Sequence, residues 1–181
     1  MSEDLTIAKC QDGDREAFRV LVDRHKDVLY GTALLMTGNR AVAEEAVQEA
    51  FLSAWRGISG FRRGRPLKPW LTRILVNGVL ATKRKKAVPT VPIVESGGNG
   101  APSISDQTDA IESRLVLRQA LDKLDEEQKR IVVLRYFAEL TVPEIAETTG
   151  TREGTVKSRL HRALAKLREH LEEFGEGDDE Q

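Results

Sequence analysis

The stretch Thr141–Arg168, TVPEIAETTGTREGTVKSRLHRALAKLR, decides the fold of this chain. It reads as two helices joined by a tight turn. Thr141 is placed to cap the first helix, and Glu144 three residues on completes a capping box. Ile145 and Ala146 are the apolar positions of that short helix, and Gly150 supplies the left-handed residue that ends it. Thr151 is expected to cap a second helix, on which Val156, Leu160, Ala163, Leu164 and Leu167 share one face. The opposite face carries Arg152, Lys157, Ser158, Arg159 and Arg162. A short helix, a glycine turn and a longer helix with a cationic outer face describe a DNA-reading helix-turn-helix.

Upstream of this motif, Asp125 with Gln128 forms a second capping box before Ile131, Val132, Leu134 and Tyr136. Ile111, Leu115, Leu117, Leu121 and Leu124 place a further helix before that. Residues 109–174 therefore read as one four-helix domain, followed by an acidic tail, GEGDDEQ, at 175–181. The segment 87–108, AVPTVPIVESGGNGAPSISDQT, is rich in proline, glycine and serine and has little periodicity, which is the composition of a flexible linker.

Residues 1–86 form the other domain. Leu5 to Gln11 reads as a short helix ending near Gly13. Asp14 caps a long amphipathic helix through Phe18, Leu21, Val22, His25, Val28 and Leu29, stopped by Gly38. His25 reads as a packed or surface side chain. Asn39 caps the next helix, with Val42, Ala46, Val47, Ala50, Phe51 and Ala54 inward and Trp55 as an apolar anchor. Glu44, Glu45, Gln48 and Glu49 lie outward, which from spacing alone describes a solvated face. Ser59–Lys68, SGFRRGRPLK, is a basic loop. A helix then starts near Pro69, carries Trp70, Leu71, Ile74, Leu75, Val79 and Leu80, and ends in four consecutive cations, Lys83 to Lys86.

The 181 residues carry a net charge of only −1, but the charge is segregated. Between Ala50 and Val94 there is no Asp or Glu, while Arg56, Arg62, Arg63, Arg65, Lys68, Arg73 and the terminal cations all fall there. A basic loop and helix interleaved with an aromatic suit a phosphate groove better than a merely solvated surface. Separate acidic and basic patches imply different partners for different surfaces. Cys10 is the single cysteine, so no disulfide within the chain and no cysteine metal cluster is expected. No signal peptide or bilayer-length apolar run is apparent, and a cytoplasmic protein is the expectation.

Three stretches, AEEAVQEAFLSAW (Ala43–Trp55), PWLTRILVN (Pro69–Asn77) with its basic block, and EIAETTGTREGTVKSRLHRALAKLR (Glu144–Arg168), resemble the bacterial RNA polymerase sigma factors of the extracytoplasmic-function type, in the family's order. The resemblance implies an all-α chain of two small helical domains: a region 2-like unit at 1–86 and a region 4-like unit at 109–174. It implies that Arg152, Glu153, Thr155, Ser158, Arg159 and Arg162 meet base edges and phosphates of an upstream (−35) duplex, with Lys157 gripping phosphate. It implies that Arg62, Arg65, Lys68, Arg73, Asn77, Lys83 and Arg84 line the melted downstream (−10) strand. Trp70 reads more as a core residue than as a stacking platform. Glu45, Gln48 and Glu49 become candidates for docking on core RNA polymerase. No cofactor, no metal and no catalysis are implied; anti-sigma partners are frequent in the family. Ala81 and Thr149 depart from the family pattern, the latter implying a less well packed turn.

Two rivals differ in class. A stand-alone helix-turn-helix regulator would footprint on promoter DNA by itself. A carboxylate–metal nuclease using Glu44, Glu45, Glu49 and His25 lacks a matching second ligand run and a phosphate-cradling loop.

Overall fold

The computed structural model describes the backbone of residues 2–86 and 119–175, and the side chains within 2–82 and 119–170. The expected linker 87–108, Ile111, Leu115, Leu117, the side chains of Lys83 and Arg84, and the tail beyond Gly175 lie outside the described residues. Among the described residues all regular structure is helical.

The first unit is built from α1 (Glu3–Gln11), α2 (Arg15–Thr37), α3 (Arg40–Gly57), a 3-10 turn (Ile58–Gly60) and α4 (Leu67–Lys86). Its boundaries follow the local chemistry. Asp14 Oδ1 accepts from the Ala17 N–H at 3.0 Å to start α2. Gly38, at φ 66°, ends it. Asn39 Oδ1 accepts from the Val42 N–H at 3.0 Å to start α3. Two starts differ from expectation: α1 begins at Glu3 rather than Leu5, and α4 begins at Leu67, ahead of Pro69. Proline in a first turn loses no hydrogen bond, so Pro69 need not mark the boundary. Leu21, Leu29, Ala50, Ala54, Leu71 and Leu75 form the centre of this unit. Phe18 packs on Trp55 with ring centroids 5.0 Å apart, the anchoring expected of Trp55.

The second unit opens with a helical stretch at 119–122 and continues through α5 (Glu126–Val132), a π-wound segment (Val133–Phe137), α6 (Val142–Thr149) and α7 (Glu153–Gly175). Both capping boxes form. Asp125 Oδ1 accepts from the Gln128 N–H at 2.8 Å, and the Thr141 N–H donates to Glu144 Oε2 at 2.7 Å. Gly150 takes the left-handed conformation, φ 65°.

Thr151 does not cap α7. Its N–H donates to the Ala146 carbonyl at 3.0 Å and so still belongs to the end of α6. Its hydroxyl turns to the Thr149 carbonyl at 3.4 Å. The first bonds of α7 are accepted one residue later, by the Arg152 carbonyl from Thr155 and Val156. At Thr149 the hydroxyl donates back to the Ile145 carbonyl at 2.8 Å, giving the polar group a partner inside the turn.

The π-wound segment was not foreseen. The Ala138 N–H reaches back to the Val133 carbonyl at 3.0 Å, which inserts one residue into the helical ladder. Phe137 is thereby laid on α2 at Gly31. A Cβ at Gly31 would stand 2.2 Å from Phe137 Cζ, so this close approach needs a residue without one.

The two units share a core. Met36 of α2 and Val76 and Val79 of α4 cluster with Ile131, Val133, Leu134, Ala138, Leu140, Ile145 and Val156. The half that carries the helix-turn-helix is thus docked on the half that carries the basic loop.

Candidate nucleic-acid interface

α6 and α7 form the helix pair that their sequence implies, with most of the expected cationic face exposed. Val156 and Ala163 are fully buried and hold α7 against the rest of the unit. Arg152, Glu153, Lys157, Ser158 and Arg162 are exposed, and Thr155 is half-buried. Several of these polar groups are ordered by their neighbours. Ser158 Oγ donates to the Thr155 carbonyl at 3.0 Å. Arg159 Nη1 donates to Glu127 Oε2 at 2.7 Å, and the other oxygen of Glu127 holds Arg130 at 2.9 Å. Arg159 is therefore less free than a solvent-facing guanidinium, because α5 supplies it with a carboxylate partner. Lys166 has its ammonium on Gln128 Oε1 at 3.1 Å and ties α7 to α5.

The second cationic surface lies along the 61–66 loop and the exposed face of α4. Arg62, Arg65, Arg73 and Asn77 are exposed, and Lys68 and Trp70 are half-buried. Trp70 leans on Phe61, ring centroids 5.0 Å apart, which sets an aromatic wall at the foot of the loop. Gly60, Phe61, Arg62, Arg65, Trp70 and Arg73 line one side of a cavity of about 430 Å³. Its other side is closed by Glu144, Glu147 and Thr148 of α6.

Docking of the two units covers part of this surface. Lys68 Nζ lies 3.0 Å from Glu139 Oε2, and Arg73 Nη1 lies 3.0 Å from Glu147 Oε1. Both pairs keep substantial solvent exposure, so each is worth no more than about 1 kcal/mol. Their meaning is positional: carboxylates of the second unit stand against two of the cations of this surface. Sequence reading missed this pairing. Neither Glu139 nor Glu147 belongs to a local motif, and their partners are 71 and 74 residues away in the chain.

On the far side of the first unit, Glu44, Glu45, Gln48 and Glu49 are all exposed along α3. Arg40 Nε holds Glu44 at 3.0 Å, and Arg56 lies 3.6 Å from Glu49. Glu45, Gln48 and Glu49 edge a groove of about 390 Å³ between α3 and α4, with Val42, Leu52, Ile74 and Gly78 also in its wall. A neighbouring groove of about 470 Å³ is apolar, lined by Phe18, Val22, Phe51, Leu52 and Trp55. Leu52 is 45% exposed between them. The acidic ridge thus runs beside one exposed apolar side chain, Leu52, and several half-buried ones.

His25 is buried, and its Nε2 lies 3.0 Å from Glu3 Oε1. It joins α1 to α2 and stands apart from Glu44, Glu45 and Glu49, which the nuclease rival needs beside it. Among the described residues no group of His, Cys, Asp and Glu side chains is arranged to hold a metal ion. Cys10 is buried, and burial pushes its thiol pKa upward, with the Asp14 carboxylate adding to the effect. Among the described residues no helix is long and apolar enough to cross a membrane.

Comparison with known proteins places both units. The family model "Sigma-70 region 2" matches residues 21–88, and "Sigma-70, region 4" matches residues 114–167. The chain is 37% identical over 156 residues to the ECF RNA polymerase sigma factor SigM of Mycobacterium tuberculosis, covering 86% of this chain and 77% of that one. It is 32% identical over 179 residues to the ECF RNA polymerase sigma factor SigW of Bacillus subtilis, covering 93% and 96%. Among solved structures, CnrH in complex with the cytosolic domain of CnrY superposes with a TM-score of 0.72 at 25% identity, covering 94% of this chain and 97% of CnrH. The sigma factor RpoE, solved in complex with the anti-sigma factor NepR from Bartonella quintana, gives a TM-score of 0.66 at 25% identity, covering 86% and 96%.

Proposed function

This chain belongs to the extracytoplasmic-function sigma factors of the sigma-70 family, and from that premise we propose how its surfaces divide the work. It is a sigma factor: it directs transcription initiation by lending promoter choice to core RNA polymerase. The stand-alone regulator is not favoured, since both sigma regions are present in one chain.

In the proposed division, residues 1–86 engage polymerase and the −10 element, residues 109–174 read the −35 element, and 87–108 is the connection. The N-terminal end of α7 enters the major groove, where Arg152, Glu153, Thr155, Ser158, Arg159 and Arg162 meet base edges and phosphates. Lys157 and the helix N-terminus grip phosphate. Arg62, Arg65, Lys68, Arg73, Asn77, Lys83 and Arg84 track the separated strand. An unstacked base is held near the loop; unstacking costs a few kcal/mol, offset by stacking and hydrogen bonds in the pocket. Glu45, Gln48 and Glu49 dock on polymerase, supported by their exposure on a groove that adjoins an apolar one. An anti-sigma factor is a further partner in this reading, by analogy with the complexes of the neighbouring structures.

The observation that carries the reading is the pair of separate cationic surfaces, one on a helix-turn-helix and one on a loop with an aromatic wall. Transcription in vitro with core polymerase across a promoter library tests it. Start sites that appear only when this protein is added are the expected result, and their absence would remove the reading. With Glu45→Lys and Glu49→Lys together, polymerase capture in a pull-down should weaken; unchanged capture would remove the docking assignment.

A further inference from the structure

We propose that α1 is a brace for the base-capturing loop, and that its last residue, Gln11, is a positioning residue for −10 recognition. The proposal rests on the sigma-factor reading and deepens it, since the loop matters only if it captures a base.

The loop from Phe61 to Pro66 has little regular structure to hold it. The Phe61 N–H donates to the Ile58 carbonyl at 3.0 Å. Its other described main-chain partners come from α1. The Gln11 side-chain amide donates to the Ile58 carbonyl at 3.0 Å and to the Phe61 carbonyl at 2.8 Å, so one Nε2 pins both ends of the turn that launches the loop. Asp4 Oδ1 accepts from the Gly64 N–H at 3.2 Å, and Gly64 sits at φ +80°, the bend of the loop. Asp4 and Gln11 are seven residues apart, two helical turns, so they lie on one face of α1 and meet the loop at two points along it.

A brace must itself be fixed, and α1 is. Thr6, Ile7 and Cys10 are buried in the core of the unit. At its N-terminal end Glu3 Oε1 is held by His25 Nε2 at 3.0 Å and by Arg24 Nη1 at 3.4 Å. The chain is thus anchored at Phe61 and Gly64, while Arg62 and Arg65, between and beyond these points, keep exposed side chains. Phe61, whose carbonyl Gln11 holds, also packs at a tilt against Trp70. Gln11 therefore sets the position of the aromatic wall as well as of the loop.

The functional consequence follows from preorganisation. A loop ordered before DNA arrives does not spend binding free energy on its own ordering, whereas a free one does. Ordering one residue or so on binding corresponds to about a tenfold loss of affinity, at 1.4 kcal/mol per decade. Neither Gln11 nor Asp4 needs to touch nucleic acid for this effect.

The test uses the full chain with core polymerase and fork-junction DNA carrying a promoter selected in the library assay. Gln11→Glu replaces a donor by an acceptor facing two carbonyls. The neutral Gln11→Met removes the donor at similar size, which separates its loss from the effect of added charge on DNA, and Gln11→Lys restores a donor. Expected results are a roughly tenfold weaker hold on the fork junction for Gln11→Glu and Gln11→Met alike, reduced discrimination between matched and mismatched −10 bases in both, unchanged capture of core polymerase, and recovery of base discrimination with Gln11→Lys. Asp4→Ala against Asp4→Asn repeats the comparison should Gln11→Glu fail to fold, because asparagine keeps an oxygen that accepts from Gly64. Fork-junction binding and base discrimination equal to wild type would overturn the proposal. So would a loss that extends equally to polymerase capture, or one that neither Gln11→Lys nor Asp4→Asn recovers. A wild-type protein that gives no promoter-specific initiation would fail the sigma-factor reading instead, before any variant is compared.

Discussion

At the scale of single residues, Glu139 stands out. It sits at φ +57°, where a residue with a Cβ is strained, and it is the non-glycine among the described residues to do so. The left-handed conformation costs an L-residue roughly 1–2 kcal/mol. Its compensation is the exposed contact with Lys68, which is worth less than that cost. Glu139→Gly is therefore expected to raise the stability of the free protein by up to about 1 kcal/mol, measured as a higher urea midpoint with unchanged slope. A fall in the midpoint would show that the contact with Lys68 matters more than backbone strain. Arg159 gives a second prediction at this scale. If it reads a base edge, Arg159→Ala should weaken binding to one upstream sequence more than to others, by about 1–3 kcal/mol. A loss that is uniform across promoters, seen in parallel gel-shift titrations, would make it a phosphate contact instead.

At the scale of elements, the helix starts are local events and could be read as such. Asp14, Asn39, Asp125 and Thr141 each accept from a backbone N–H three residues ahead, so the whole signal lies within four residues of sequence. Asp125→Ala should cost about 1 kcal/mol and loosen α5, to which both Arg159 and Lys166 are tied. Hydrogen exchange of the α5 amides should speed up accordingly; unaltered protection would mean packing alone sets the helix. Thr151 shows where local reading fails. Thr and Arg at 151 and 152 follow a glycine stop, and composition does not say how many residues the first helix needs to finish. The Thr151 N–H is spent on Ala146, which moves the start of α7 on by one residue. The π-wound turn at Val133–Phe137 is illegible for a similar reason: it goes with the seat of Phe137 on Gly31, more than 100 residues away in the chain. Gln11 belongs to this class too, a polar residue at a helix end whose partners lie 47 and 50 residues on.

At the scale of the molecule, the two units were legible one by one, but their docking was not. Val79 fits the apolar pattern of α4 without indicating that it would pack against the second unit rather than its own, and Val76, outside that pattern, packs there too. If the two units read the −35 and −10 elements as proposed, the docked form is not the promoter-bound form. The described residues, 2–86 and 119–175, packed as one compact body have a radius of gyration of about 15 Å, hence roughly 40 Å across. Elements centred near −35 and −10 are about 25 base pairs apart, roughly 85 Å of duplex. The segment 87–108, fully extended, spans about 75 Å, so separated units can reach both elements where docked units cannot. Opening must give up the burial of Met36, Val76 and Val79, the Gly31–Phe137 contact and the pairs from Lys68 and Arg73. Gly31→Leu targets this step. It fills the seat of Phe137 while improving the helix propensity of α2 by about 0.8 kcal/mol, so the first unit should fold at least as well as before. Small-angle scattering of the free protein should then show a radius of gyration several ångströms above wild type. Binding to a single-stranded DNA oligonucleotide without polymerase should tighten as Lys68 and Arg73 are released. Equal radii and equal affinities in the two proteins would mean that the Phe137 seat does not hold the units together.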